Sequence, residues 1–522
     1  MGTDNWVLGN SGEYYYMGNS SSNYIANRLN PTAETLVWHK YPHYQDTTWL
    51  GRCNRPEIPT LPPLEIAQRL FRAQHAYIGT IFSFLSNAAF NQRLGFVRAQ
   101  VIDPSNREER LVYCQILLVF AFGQMYSINQ WVAKDGPPGF EYFKHALEFL
   151  PNVYEQGSIL FIEVLSYVAY FMQTINRRDA AYIMIGIALR MATSLGLHQE
   201  VSDPDIDSEI RENRRRVWWS VYSMERLLCV TSGNPLSIQD EDIDLFLPSP
   251  KVGEDAYVSA ILARYTELSR IQGIVSEKIY RKKQKSSTDL SACIQQIMKM
   301  LAEWFERCPE SIRSNPPDSG PPPSREVNSN MGRWEDGLSP DIVHVINRAI
   351  SAARSSASIL NAAAKYNLVA TYGFIDGEQA FSAALLLVMV NIAFPYQEAD
   401  ALAMNMALDV LHSMAEKGNR YIQACHALLT KIKSPVNPKE QSGSANALDS
   451  STQIQSDILS QASDIIPGPP QHQNQPFGLD FEGDPALWAE VLKSIDIDMD
   501  RQWIETALRR GEQLETPDST TC

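Results

Sequence analysis

The chain has no C-x-x-C pair, and its seven cysteines (Cys53, Cys114, Cys229, Cys293, Cys308, Cys425 and Cys522) are scattered over 522 residues. An odd, dispersed set is neither a disulfide framework nor a zinc-finger spacing. Several lie in apolar runs, where a free thiol acts as a small hydrophobe, and a reducing intracellular compartment is the expectation. The phosphate-cradling G-x-x-x-x-G-K-[ST], the nucleophile elbow G-x-S-x-G and the zinc helix H-E-x-x-H are missing as well. The nine histidines form no ligand group, so His145, His198 and His412 read as satisfied surface or interface residues. Cys425 and His426 are adjacent and point to different faces of a helix, which makes them a poor chelate. No catalytic residue and no metal ligand is therefore assigned, and the chain reads as no enzyme. Positive charge is also short. Lys and Arg number 45 against 60 Asp and Glu, a net charge of -15, which excludes the basic footprint of a bare nucleic-acid binder. The longest apolar run, residues 381–394, is broken by Asn391 and is too short to span a bilayer, so it is expected to be a buried helix. The residues after Met1 are polar and carry no secretory signal.

What is present is helical periodicity. From Leu64 onward apolar residues recur at helical spacing, and residues 111–125 are apolar nearly all round. Helices are expected over residues 140–150, 159–175, 180–195, 208–232, 256–281, 288–307, 341–364, 379–394, 398–417 and 419–433. Alternating strands bounded by hairpin turns are not evident. The fold class is all-α, a large multi-helix regulatory domain with an irregular N-terminal lead-in and a disordered C-terminal tract. The expected organisation is an irregular segment over 1–63 packing on the core, and an all-helical body over 64–433 with a Pro/Ser-rich loop at 308–340. A Ser/Gln/Pro-rich linker follows at 434–476, and an acidic-hydrophobic segment at 477–522.

The densest signal lies between Arg214 and Pro248. Arg214, Arg215 and Arg216 precede Trp218 and Trp219; Gly233 and Pro235 make a turn; Asp240, Glu241, Asp242 and Asp244 follow. Asp207 or Ser208 is expected to cap the helix, and Ile210, Val217, Val221, Met224 and Leu228 to form its buried stripe. The arginines are expected to bind carboxylates of the Asp240–Asp244 turn rather than phosphates, because an arginine fork matches a carboxylate. The tryptophans are expected in the core, and the acidic set fits a turn and short helix start better than an acid/base pair. A ligand-sensing role for this corner stays open. A second run, Arg281, Lys282, Lys283 and Lys285, fits a nuclear-import signal or a solvated helix end, and the two readings stay open.

These letters resemble the fungal-specific transcription factor domain, the middle homology region of binuclear zinc-cluster regulators. The resemblance runs through Tyr15-Tyr16-Met17-Gly18-Asn19-Ser20-Ser21, residues 181–192, Leu195-Gly196-Leu197-His198, Arg214 to Trp219, Asp240 to Asp244 and Leu247-Pro248. It implies an all-helical, effector-responsive domain and a nuclear regulator of RNA polymerase II genes, with metabolic or secondary-metabolite pathways as candidates. The family's six-cysteine DNA-binding module has no counterpart here, so its zinc and DNA contacts pass to no residue of this chain. Zinc and DNA are expected only through a missing module or a partner. The implied partners are the transcription machinery or a coactivator, a homo- or heterodimer mate and a small-molecule effector, with no membrane. The alternative is a non-DNA-binding coregulator that dimerises with zinc-cluster factors. Phe481, Trp488, Leu492, Ile495 and Trp503 stand among acids and read as an activation segment that folds into a partner's groove, or as a helix docking on its own core.

Overall fold

The computed structural model describes residues 6–8, 14–16, 21–29, 61–103, 105–127, 137–153, 156–201, 207–249, 256–280, 287–309, 340–394 and 396–433. The basic run 281–285 and the segment 477–522 lie outside them, as do the linker 434–476 and most of 308–340.

The described residues hold a short hairpin, β1 (Trp6–Leu8) and β2 (Tyr14–Tyr16), and fourteen α-helices. The helices are α1 (Ser22–Leu29), α2 (Leu64–Gln74), α3 (Asn87–Ala99), α4 (Arg107–Ser127), α5 (Phe140–Phe149), α6 (Ile159–Thr174), α7 (Arg178–Ser194), α8 (Ser208–Ser232), α9 (Ala256–Val275), α10 (Ser287–Arg307), α11 (Pro340–Lys365), α12 (Phe374–Ala393), α13 (Glu398–Glu416) and α14 (Arg420–Lys433). Within the lead-in, the described residues form this hairpin and α1. Each strand is three residues long, which is too short for an alternating pattern to show in sequence.

The helices build two cores. In the first, α4 and α6 are buried nearly all round, from Leu111 to Met125 and from Leu160 to Thr174. A helix apolar on every face has to be surrounded; α2, α3, α5, α7 and α8 do so, and α9 lies on α8. The α2 backbone comes so near that a Cβ on Gly123 of α4 would sit 2.5 Å from the Leu70 carbonyl oxygen. The second core is α11 to α14, with α12 inside. By length and apolarity α12 passes for a membrane span, yet Phe381, Ala384, Leu387 and Val388 are wholly buried among its neighbouring helices. It starts at Phe374, five residues before the expected position, because Gly373 and the Asp376 first turn extend it. The lead-in helix α1 packs on this second core, with Ala26 buried in it and Ser22 Oγ 3.2 Å from Ser382 Oγ.

The two cores meet at the α7 N-terminus. Arg178 is buried there and pairs with Glu378 of α12, its guanidinium 4.9 Å from the Tyr421 ring centre and 5.8 Å from that of Phe374. Phe374, Tyr372 and Ala370 pack into the first core, and Tyr77 donates to the Leu368 carbonyl at 3.0 Å. Burial raises the Asp376 carboxyl above its ordinary range although it accepts from the Ala370 amide.

Candidate functional site

The segment from Arg214 to Ser249 folds as a helix with a strap laid back along it. Asp207 caps α8 by accepting from the Glu209 amide at 2.8 Å, and Gly233 ends it at φ 70°, a left-handed conformation that glycine adopts without Cβ strain. The chain then turns, with Asn234 N donating to the Cys229 carbonyl at 2.9 Å, and runs antiparallel over α8.

Side chains at successive turns of α8 hold the strap. Glu225 accepts from the Ser237 amide at 2.9 Å, and Arg226 donates to the Ile238 carbonyl at 2.7 Å and to Asp240 Oδ1 at 3.0 Å. Tyr222 donates to the same Asp240 oxygen at 2.5 Å. One turn back, Trp219 Nε1 donates to the Phe246 carbonyl at 2.7 Å. Arg216 reaches the Ser249 carbonyl at 2.7 Å, while Glu212 takes the Ser249 amide at 2.9 Å and its hydroxyl at 2.7 Å. Positions 212, 216, 219, 222 and 226 are three or four residues apart and so share one helix face. The strap's other edge is tied to the end of the α7 loop, where Asp244 pairs with Gln199 in a parallel bridge and Glu200 N donates to the Asp244 carbonyl at 2.7 Å.

The expected arginine–carboxylate network exists with other partners. Arg215 grips Glu200 through two bonds, of 2.9 and 2.6 Å, and Arg216 pairs with Glu212 at 2.9 Å. Arg214 donates to the Leu195 carbonyl at 2.9 Å. Asp240 belongs to Arg226 and Tyr222, and Asp242 and Asp244 are exposed. The sequence pairing fails because the strap runs antiparallel: it sets Asp240 beside the C-terminal half of α8, three turns from Arg214–Arg216. Trp218 and Trp219 are both wholly buried. Trp218 lies against His198, and Arg270 of α9 stacks 4.7 Å from the Trp219 ring centre. Pro235 is exposed at the turn. Ile210 is 57% exposed, so it leaves the expected stripe; the first turn of α8 projects past its neighbours, and the stripe begins at Val217. Glu200, Glu212, Tyr222, Glu225 and Arg226 were not singled out from sequence, although the spacing of the last four with Arg216 and Trp219 carried the signal.

Burial alone would lower the Arg226 pKa, and Tyr222, Glu225 and Asp240 around it instead hold it raised. The Arg215 fork lowers the Glu200 carboxyl from its ordinary 4.5. A depressed carboxylate stabilises the fold above its unfolded pKa and loses that contribution as pH falls through the folded value. Glu200→Gln is thus expected to lower the melting temperature above pH 4.5 and to make no difference at lower pH, once the wild-type carboxylate is protonated. Melting curves from pH 3 to 7 read this; parallel curves throughout would sink it.

Among the described residues no three ligand-type side chains converge as a metal centre. The clamp is a mostly buried set of bonds, and the site defines a helical, strap-closed scaffold. Residues 81–308 of this scaffold, which take in α3 to α10, match the fungal specific transcription factor domain. The chain is similar to a transcriptional regulatory protein of Schizosaccharomyces pombe, 24% identical over 80% of this chain and 55% of that one. It is also similar to an ABC-transporter-regulating transcription factor of Aspergillus oryzae, 22% identical over 59% of this chain and 37% of that one. A third relative is the transcriptional activator protein acu-15 of Neurospora crassa, 25% identical over 52% of this chain and 30% of that one. The chain thus spans about half the length of the first relative and less of the other two. No solved structure matches it. In this domain and in these relatives the chain is similar to fungal transcription regulators.

Proposed function

We propose that this chain regulates transcription in the nucleus, with the two-core helical body as its regulatory part and residues 477–522 as the segment that engages the transcription machinery. The observation that carries this is the coincidence of the family domain with the clamped first core. The alternation of Phe481, Trp488, Leu492, Ile495 and Trp503 with acids supports the second half, since such segments fold as helices into partner grooves. DNA is reached through a module outside these residues or through a partner. An effector that binds the body more tightly in one arrangement of its helices would shift the population towards it and change the exposure of the acidic segment.

The test fuses the chain to a heterologous DNA-binding module and reads a reporter in fungal cells. The fusion is expected to activate, and removal of residues 477–510 to abolish activation at equal protein level. Undiminished activity after the deletion would reject the role of that segment.

A further inference from the structure

The second core carries a group of side chains that the clamp and the acidic segment leave unused. His412 and Glu416 stand one turn apart on α13, with His412 Nε2 3.1 Å from Glu416 Oε1. His426 of α14 faces them, its ring centre 5.2 Å from that of His412, with the planes tilted by 39°. Asp409, one turn earlier on α13, adds negative charge that acts on His426. We propose that His412, His426 and Glu416 bind a divalent transition-metal ion of the zinc class, which bridges α13 and α14.

Zn–N and Zn–O bonds are each about 2.1 Å, so two imidazoles on one ion place their ring centres roughly 5 Å apart. The same bond lengths put a neighbouring nitrogen and oxygen ligand about 3.0–3.4 Å apart. Both observed spacings meet these values. As they stand the three side chains do not converge on a common point, in keeping with the lack of a three-ligand group among the described residues. Reaching it takes little, because the His412 and Glu416 side chains are 56% and 68% exposed and their shared hydrogen bond competes with water. Two imidazoles and one carboxylate form a borderline-soft donor set that selects zinc, nickel or copper over magnesium and calcium, whose preferred ligands are all oxygen. Other coordination positions would be taken by water.

An ion joining two antiparallel neighbours would stabilise the second core through binding to the folded state alone.

The test titrates the purified full chain with zinc chloride in a non-chelating buffer, by calorimetry, beside His412→Ala, His426→Ala and Glu416→Gln. Wild type is expected to take up one more zinc equivalent, in the micromolar range, than either histidine variant. Glu416→Gln should keep that equivalent and bind it more weakly. Magnesium should give no such difference. Equal zinc stoichiometry and affinity in wild type and His426→Ala would overturn the proposal. A second measurement needs no variant: diethyl pyrocarbonate labelling of wild type, read by peptide mass spectrometry. Zinc should protect His412 and His426 together and leave His145 reactive; unchanged labelling of the pair would overturn the proposal equally.

Discussion

Arg226→Ala is expected to cost about 3–5 kcal/mol of folding stability, the range found when one partner of a buried ion pair is removed. Arg226 is 1% exposed and Glu225, beside it, is 0% exposed. The guanidinium bonds Glu225 at 3.1 Å, Asp240 at 3.0 Å and the Ile238 carbonyl at 2.7 Å, and its carbon lies 4.5 Å from the Tyr222 ring centre. Its loss strands a buried carboxylate and frees the middle of the strap. Arg226→Lys should recover only part of the loss, because an ammonium cannot present a planar fork to three acceptors at once. Urea unfolding reads the effect as a shift in midpoint at constant slope. A midpoint within a few tenths of a molar of wild type would show that the strap is held by packing alone.

Arg178→Ala is expected to destabilise by a similar amount, about 3–5 kcal/mol, and to do so unevenly. Arg178 joins the two cores, so its loss leaves Glu378 without its ion partner and takes the cation from Tyr421 and Phe374. Amide exchange should quicken in α12 and α14 more than in α4 and α6, since sub-global opening follows the weakened contact. The double substitution Arg178→Met with Glu378→Leu should regain most of the stability, because a buried pair replaced by apolar side chains of similar size no longer demands mutual charge compensation. Uniform acceleration of exchange across both cores would mean that they open as one unit and would remove the idea of a separable junction. Failure of the double substitution to regain stability would assign the loss to the aromatic stacking instead.

Much of this architecture was legible in the letters. The all-round apolar run of α4 forced a layered helical core, and Gly233 marked a turn that the structure places at positive φ. Other features were not legible, for physical reasons. The hairpin of three-residue strands is too short to generate a period. The division into two cores depends on which helix packs on which, and periodicity alone carries no such information. The arginine partners were missed because direction matters: only the antiparallel course of the strap shows that Asp240 falls beside Arg226 and that Arg215 turns to Glu200. The pairing of His412 with His426 is likewise invisible along the chain, since thirteen residues, with the turn between α13 and α14 among them, separate the two.

The manner in which α8 holds its strap has a consequence for how the two can vary. Arg216, Trp219 and Arg226 reach main-chain carbonyls of Ser249, Phe246 and Ile238, groups that every residue type presents alike. The helix therefore carries a fixed alphabet, whereas the residues it holds at those three positions are interchangeable as far as these bonds are concerned. Drift is cheap where only the main chain of the strap is gripped, as at Phe246, and costly at Asp240 and Ser249, whose side chains the helix also bonds, so a molecule of this design can retune part of the strap's outer surface without renegotiating the interior.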